Sequence, residues 1–331
     1  MEVQLKTDNA TPPFPALTAS QRWHLELYGY VVIENVLSEE EVGRLLDASY
    51  KLKREFEVLP DPWNTPIRNC RLSKNRALGK GTDFNMFFHV LEADPLFLEY
   101  ATHPRILGMA DEVVGNTVRV SESQVMINSR THDDTFDGPG RYLWHRSRPE
   151  VHNYTFNGLY HCNFVKAITN LTDLDENDGG TCVIAGCHKS TCKEEGIVKA
   201  ARENPSLIHQ VVAPAGSTLL FCETLLHSTG DIRSDRERVI IIAGYQPWNY
   251  RTAMGFDFTP EFEHLVPESL KKRIFGSDLN ARLRRRTLEM AVGSADPGDY
   301  LDGWSLKSAD HDSLDVHDNI WQNGAEFIGS P

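Results

Sequence analysis

Leu171-Thr-Asp-Leu-Asp-Glu-Asn-Asp-Gly-Gly-Thr-Cys-Val-Ile-Ala-Gly-Cys-His-Lys189 is the stretch that decides the fold. Asn177-Asp-Gly-Gly180 reads as a turn, because paired glycines accept backbone angles that other residues avoid. Thr181 to Ile184 follows as a short strand with β-branched residues, and Ala185-Gly186 turns the chain again. A short strand between two tight turns belongs to an antiparallel barrel or sandwich rather than to a βαβ fold.

Working outward, Tyr160 to Thr172, Gly216 to Cys222 and Arg238 to Gln246 carry the same strand texture. Val118 and Val120 keep one parity and Val125 and Ile127 the other, which predicts a bulge between them. Upstream, Tyr30 to Glu34 is a strand. Ser38-Glu-Glu-Glu41 is a capping box, opening a helix that carries Val42, Leu45, Leu46 and Leu52 to about Phe56. Residues 58–94 read as a long surface excursion. Asp94-Pro95 opens a helical region through Val114, interrupted near Pro104. The segments 192–204 and 260–291 read as helical. The fold class is therefore mainly β, a barrel or jelly roll in a helical jacket. The expected organisation is a flexible N-terminus (1–16), one domain (17–291) and an acidic tail (292–331). Trp304 and Trp321 argue that parts of that tail dock.

Composition narrows the function classes. Of 331 residues, 34 are Lys or Arg and 47 Asp or Glu, a net charge of −13. Nucleic acid is not an expected partner, because no basic stripe is present to replace counterions; Arg282 to Arg286 reads as a solvated helix face. No run of about 18–20 apolar residues suggests a membrane span. No signal peptide is read at the N-terminus, so a cytoplasmic location is expected. The six cysteines form no C-x-x-C pair and read as free thiols. A small-molecule substrate and a monomer or homodimer are expected.

Four pieces lie in a fixed order: Trp144-His145-Arg146-Ser147; the stretch 171–189; Ala215 to Leu226 followed by His227; and Arg238, eleven residues later. With Tyr28-Gly-Tyr-Val-Val-Ile-Glu34 before the capped helix, this order resembles the phytanoyl-CoA dioxygenase family of Fe(II)/2-oxoglutarate oxygenases, from about Leu17 to Pro247. The resemblance implies a double-stranded β-helix, a cupin-like jelly roll. It implies Fe(II), 2-oxoglutarate and O₂ as cofactors, and oxidation, by hydroxylation, of a small-molecule C–H bond.

The resemblance places His145 and His227 as the two imidazole ligands. Such irons take two histidines and one carboxylate on one face. The family supplies the first histidine and the carboxylate as H-x-D, two residues apart on a strand and so facing one way. Position 147 is serine instead. Three readings stay open. Glu223 or Glu150 completes the set; water or chloride fills the place, as in radical halogenases of this type; or the site has decayed and the chain is a non-catalytic binding protein. Glu223 has a simpler role, capping the turn before His227. Arg238 and Thr229 fall where the family binds the distal carboxylate of 2-oxoglutarate, a task suited to the planar guanidinium fork. Asn163, with Lys166, is placed to reach the cavity and is counted with the co-substrate site. His152 and His161 flank the site, and His188 is expected to pin a loop. Phe84, Phe87, Phe88 and Trp248 suggest an apolar pocket component.

Overall fold

A computed structural model describes residues 16–73, 82–130, 144–250 and 258–276. The chain divides into two units, Met1–Ser277 and Asp278–Pro331, and every described residue belongs to the first. The residues before 16, the acidic tail and the C-terminal half of the expected 260–291 helix lie outside the described residues.

The chain opens on α1 (Ala19–Tyr28) and β1 (Tyr30–Ile33), then α2 (Glu39–Glu57). The predicted box is present at α2: Ser38 Oγ accepts from Glu41 N and the Glu41 carboxylate accepts from Ser38 N. A second box, Thr18 with Gln21, starts α1, a helix the sequence reading passed over. The excursion 58–94 is more ordered than expected. It supplies β2 (Arg71–Leu72) and β3 (Thr82–Phe88), which extend a sheet edge. Helices α3 (Pro95–Ala101) and α4 (Pro104–Val114) follow, divided near Pro104 as predicted.

Strand β4 (Val118–Arg130) precedes a short α5 (Pro149–His152) and the hairpin β5 (Asn153–Phe156) to β6 (Leu159–Cys162). Next come β7 (Val165–Asn170), β8 (Thr181–Ile184) and α6 (Glu194–Glu203). The expected strand 160–172 is therefore two strands, broken at Asn163-Phe164. Then follow β9 (Ile208–Gln210), β10 (Thr218–Cys222), β11 (His227–Thr229), β12 (Arg238–Pro247), α7 (Pro260–Leu265) and α8 (Glu268–Phe275).

The strands form a seven-stranded sheet, β1-β10-β7-β12-β4-β3-β2, and a three-stranded sheet, β11-β8-β9; β5 and β6 pair separately. Every pairing is antiparallel, which gives the jelly roll. The predicted bulge lies in β4: Gly244 of β12 pairs with Glu122, but Tyr245 pairs with Val120, leaving Ser121 as the extra residue.

Central strand β12 is buried throughout, because both of its faces are covered. Ile240 and Ile242 point into a core shared with Ile168, Leu219 and Phe221 of the same sheet and with Val183 of the facing one. The alternate residues Val239, Ile241, Ala243 and Tyr245 are buried on the opposite side. Hydrogen bonds tie that side to α3. Tyr245 Oη donates to Ala101 O at 2.9 Å, and Tyr100 Oη lies 3.0 Å from Thr169 Oγ1. Among the described residues no helix is long and apolar enough to cross a membrane.

Candidate metal centre

His227 opens β11, and its backbone exchanges two 3.1 Å hydrogen bonds with His145. The two rings lie 4.1 Å apart between centroids. His227 Nδ1 is 2.9 Å from Leu225 O, which places the proton there and leaves Nε2 unprotonated, its lone pair available to a metal. Burial first, then His145 and Lys166, holds the ring well below the usual histidine range, so it stays neutral. His145 is exposed, on a segment anchored by its neighbour. Arg146 donates to the carbonyls of Cys187, Ser190 and Cys192.

Of the two carboxylates the sequence offers as a third donor, Glu223 is the one beside the histidines. His145, Glu223 and His227 offer ligand atoms that all lie within 4.8 Å of one another. Donors about 2.1 Å from one ion stand at most about 4.2 Å apart, so a small closing movement suffices. Glu223 Oε2 is buried without a hydrogen-bond partner, 3.9 Å from His227 Nε2. Among the described residues the carboxylate makes no turn-capping bond; it lies beside Lys166 and His227. Burial pushes the carboxyl up to about 7, against the pull of the Lys166 ammonium. Ser147 donates its N–H to Glu223 O at 2.8 Å, so position 147 adjoins Glu223 across the backbone. Glu150 is exposed on α5 and outside this cluster.

The two histidines line a cavity of about 440 Å³ between the sheets. Arg238 enters it from β12, with its side chain among the most deeply buried in the protein. Nη2 donates to Thr181 Oγ1 at 3.0 Å, while Nε and Nη1 are buried without partners. Burial lowers the guanidinium to about 10, still charged at neutral pH. Thr229 pairs with Thr181 across β11 and β8, and both line the cavity. A buried cation with two unused donors in a fork is built for a carboxylate.

Asn163 is not among the residues lining the cavity; its Nδ2 donates to Tyr250 Oη at 3.0 Å, because the chain breaks between β6 and β7 there. His161 is stacked on Tyr154, with Nδ1 near Val113 O, and so is turned away. Phe84 lines the cavity, whereas Phe87 packs on Phe56 and Trp248 lies beneath Lys272. The sequence reading missed Glu122, Gln124 and Thr181. A charged residue inside the run Val118 to Ile127 was the available signal for Glu122.

Residues 25–240 match the family described as Phytanoyl-CoA dioxygenase (PhyH). The chain belongs to that family. Its relatives include mouse "Phytanoyl-CoA dioxygenase, peroxisomal", 27% identical over 235 residues. That match covers 65% of this chain and 64% of the mouse protein, so the chain spans less than two-thirds of it. "Ectoine dioxygenase" of Bordetella bronchiseptica is 24% identical, over 53% of this chain and 50% of its own. Among solved structures, HygX from Streptomyces hygroscopicus with nickel, 2-oxoglutarate and hygromycin B bound superposes with a TM-score of 0.55. It is 20% identical, covering 74% of this chain and 94% of HygX. EctD from S. alaskensis with 2-oxoglutarate and 5-hydroxyectoine gives 0.53 at 20% identity, covering 77% and 86%. Both carry the fold of this PhyH-family chain.

Proposed function

We propose that the chain is an Fe(II)- and 2-oxoglutarate-dependent oxygenase that hydroxylates a small molecule. The observation that carries this reading is the coincidence of two cavity-lining histidines, with Glu223 offering a third ligand atom within 4.8 Å of theirs, and a buried cavity cation with two unused donors. His145, His227 and Glu223 would hold the iron. When bound, iron and 2-oxoglutarate supply O₂ activation, with loss of CO₂ to give succinate, coupled to oxidation of a substrate C–H bond.

The chain's own residues orient and enclose. Arg238 and Thr229 would hold the distal carboxylate of 2-oxoglutarate in the cavity that the two histidines also line. Ile168, Ile240 and Ile242 exclude water along the way. Phe84, Met86 and Trp144 offer an apolar wall to the substrate. The cavity has the size usual for small-molecule sites. The ectoine dioxygenase relative and the HygX and EctD structures with their small ligands support that class. Chloride beside Ser147 finds less support, since Glu223, which adjoins that position through its backbone, already brings a carboxylate oxygen close to the two histidines.

Anaerobic calorimetry with Mn(II) and 2-oxoglutarate tests the reading. One metal should bind, and 2-oxoglutarate should bind only after it. Arg238→Ala should weaken 2-oxoglutarate by about 100-fold, two charge-assisted bonds at about 1.5 kcal/mol each. His227→Ala should abolish both. Absence of metal-dependent 2-oxoglutarate binding in the parent chain sinks the proposal and favours a binding protein.

A further inference from the structure

Lys166 is an unusual neighbour for a metal ligand. Its ammonium lies in the cavity wall, 3.2 Å from Glu223 Oε1 and 3.2 Å from Glu122 Oε2, with the side chain only 12% exposed. A buried cation costs solvation unless it is paired, and here it is paired twice.

The arrangement is built into the sheet. Glu122 sits on β4 and Lys166 on β7, separated by central strand β12. The β12 residue paired with both is Gly244. A Cβ at Gly244 would lie 2.8 Å from Glu122 Cβ and 3.1 Å from Glu122 Oε2. The ion pair thus crosses a strand at a position that carries no side chain. The other oxygen, Glu122 Oε1, is engaged by Gln124 Nε2, so Glu122 is itself held.

We propose that Lys166 is a positioning residue: braced by Glu122 across Gly244, it occupies Glu223 Oε1 so that only Oε2 is offered to the metal. This rests on the reading of Glu223 as a ligand. Glu223 has a carboxylate able to chelate with both oxygens. A second bound oxygen would take one of the positions that the keto-acid and O₂ require. Lys166 keeps that position open, and so gives this chain a one-oxygen carboxylate without an aspartate at 147. Partners of metal ligands commonly set affinity and geometry in this way.

The test uses the full chain loaded anaerobically with Co(II), whose visible band weakens as coordination number rises. The variant Glu122→Gln/Lys166→Met keeps the buried charge balanced, and Glu122→Gln alone is the milder second variant. Circular dichroism checks that each is folded. The double variant should bind Co(II) at least as tightly as the parent, with a weaker visible band. Its 2-oxoglutarate affinity should fall about tenfold, the lower end of what outer partners contribute; Glu122→Gln should shift both the same way, by less. An unchanged band with unchanged 2-oxoglutarate affinity in both variants overturns the positioning role. So does a parallel loss of both affinities, which is the mark of mere structural damage. Glu223→Gln separates the two layers: if it leaves the Co(II) band and affinity untouched, the ligand reading itself falls.

Discussion

Arg238 brings a full positive charge to a place almost closed to solvent. That placement makes sense only with an anion to meet it, which is why the residue was legible in the sequence: a charge opening the apolar run Val239 to Ala243 needed a purpose. His227 was legible by its order among the motifs. Glu223 was less so, because its competing role as a turn cap could be rejected only once its side-chain partners were in view. Asn163 shows the converse: it was read on one unbroken strand, and where that strand breaks its amide donates to Tyr250 instead. His188 carries a prediction at this scale. It is buried, edge-on to Tyr160, and burial with help from Lys189 lowers it to about 4, with the Glu26 backbone opposing. The folded pKa lies below the unfolded 6.5, so the unfolded chain binds the extra proton. The contribution to stability is complete above pH 6.5 and is lost as pH falls to about 4. It amounts to about 3 kcal/mol. Urea unfolding between those limits should show a shallower acid slope for His188→Leu than for the parent; parallel slopes would count against it.

At the scale of elements, most of the strands and helices followed from turn residues and periodicity. The stretch 171–189 predicted β8 and its turns, and a parity break predicted the β4 bulge. Two elements escaped for different reasons. The box Thr18 to Gln21 uses Gln rather than Glu and precedes a weakly amphipathic helix, so α1 had little else to announce it. Strand β3 draws its stability from pairing with β4, a long-range contact that no local pattern encodes. The turn before β8 is where tolerance should be least. A Cβ at Gly180 would fall 1.9 Å from Val211 O, where β8 meets the start of the next connection. Gly180→Ala should cost roughly 1–3 kcal/mol by forced displacement. Because Thr181 adjoins it and accepts from Arg238, 2-oxoglutarate affinity should fall as well. Chemical unfolding and calorimetry on the same sample check both; a loss of stability with intact affinity would show that the strand end moves independently of Arg238.

At the scale of the whole described unit, the cavity lies between the two sheets and draws on both. Arg238, Lys166 and Glu122 come from the large sheet, and His227, Thr229 and Thr181 from the small one. Ligands that bridge them should bind the folded chain and not the unfolded one. Mn(II) with 2-oxoglutarate, each at 100 times its dissociation constant, should therefore add up to about 2.7 kcal/mol per site. Thermal unfolding should show the rise in the parent chain and none in His227→Ala; equal rises in both would place the binding elsewhere. The same unit holds six cysteines, none in a disulfide, of which five are buried and Cys192 is exposed. The Cys192 carbonyl accepts from Arg146, the residue beside His145. A thiol-directed fluorophore would thus attach at one address, on a loop tied directly to the segment bearing His145. The native chain comes with its own reporter position for the movement of that segment, with no cysteine to remove.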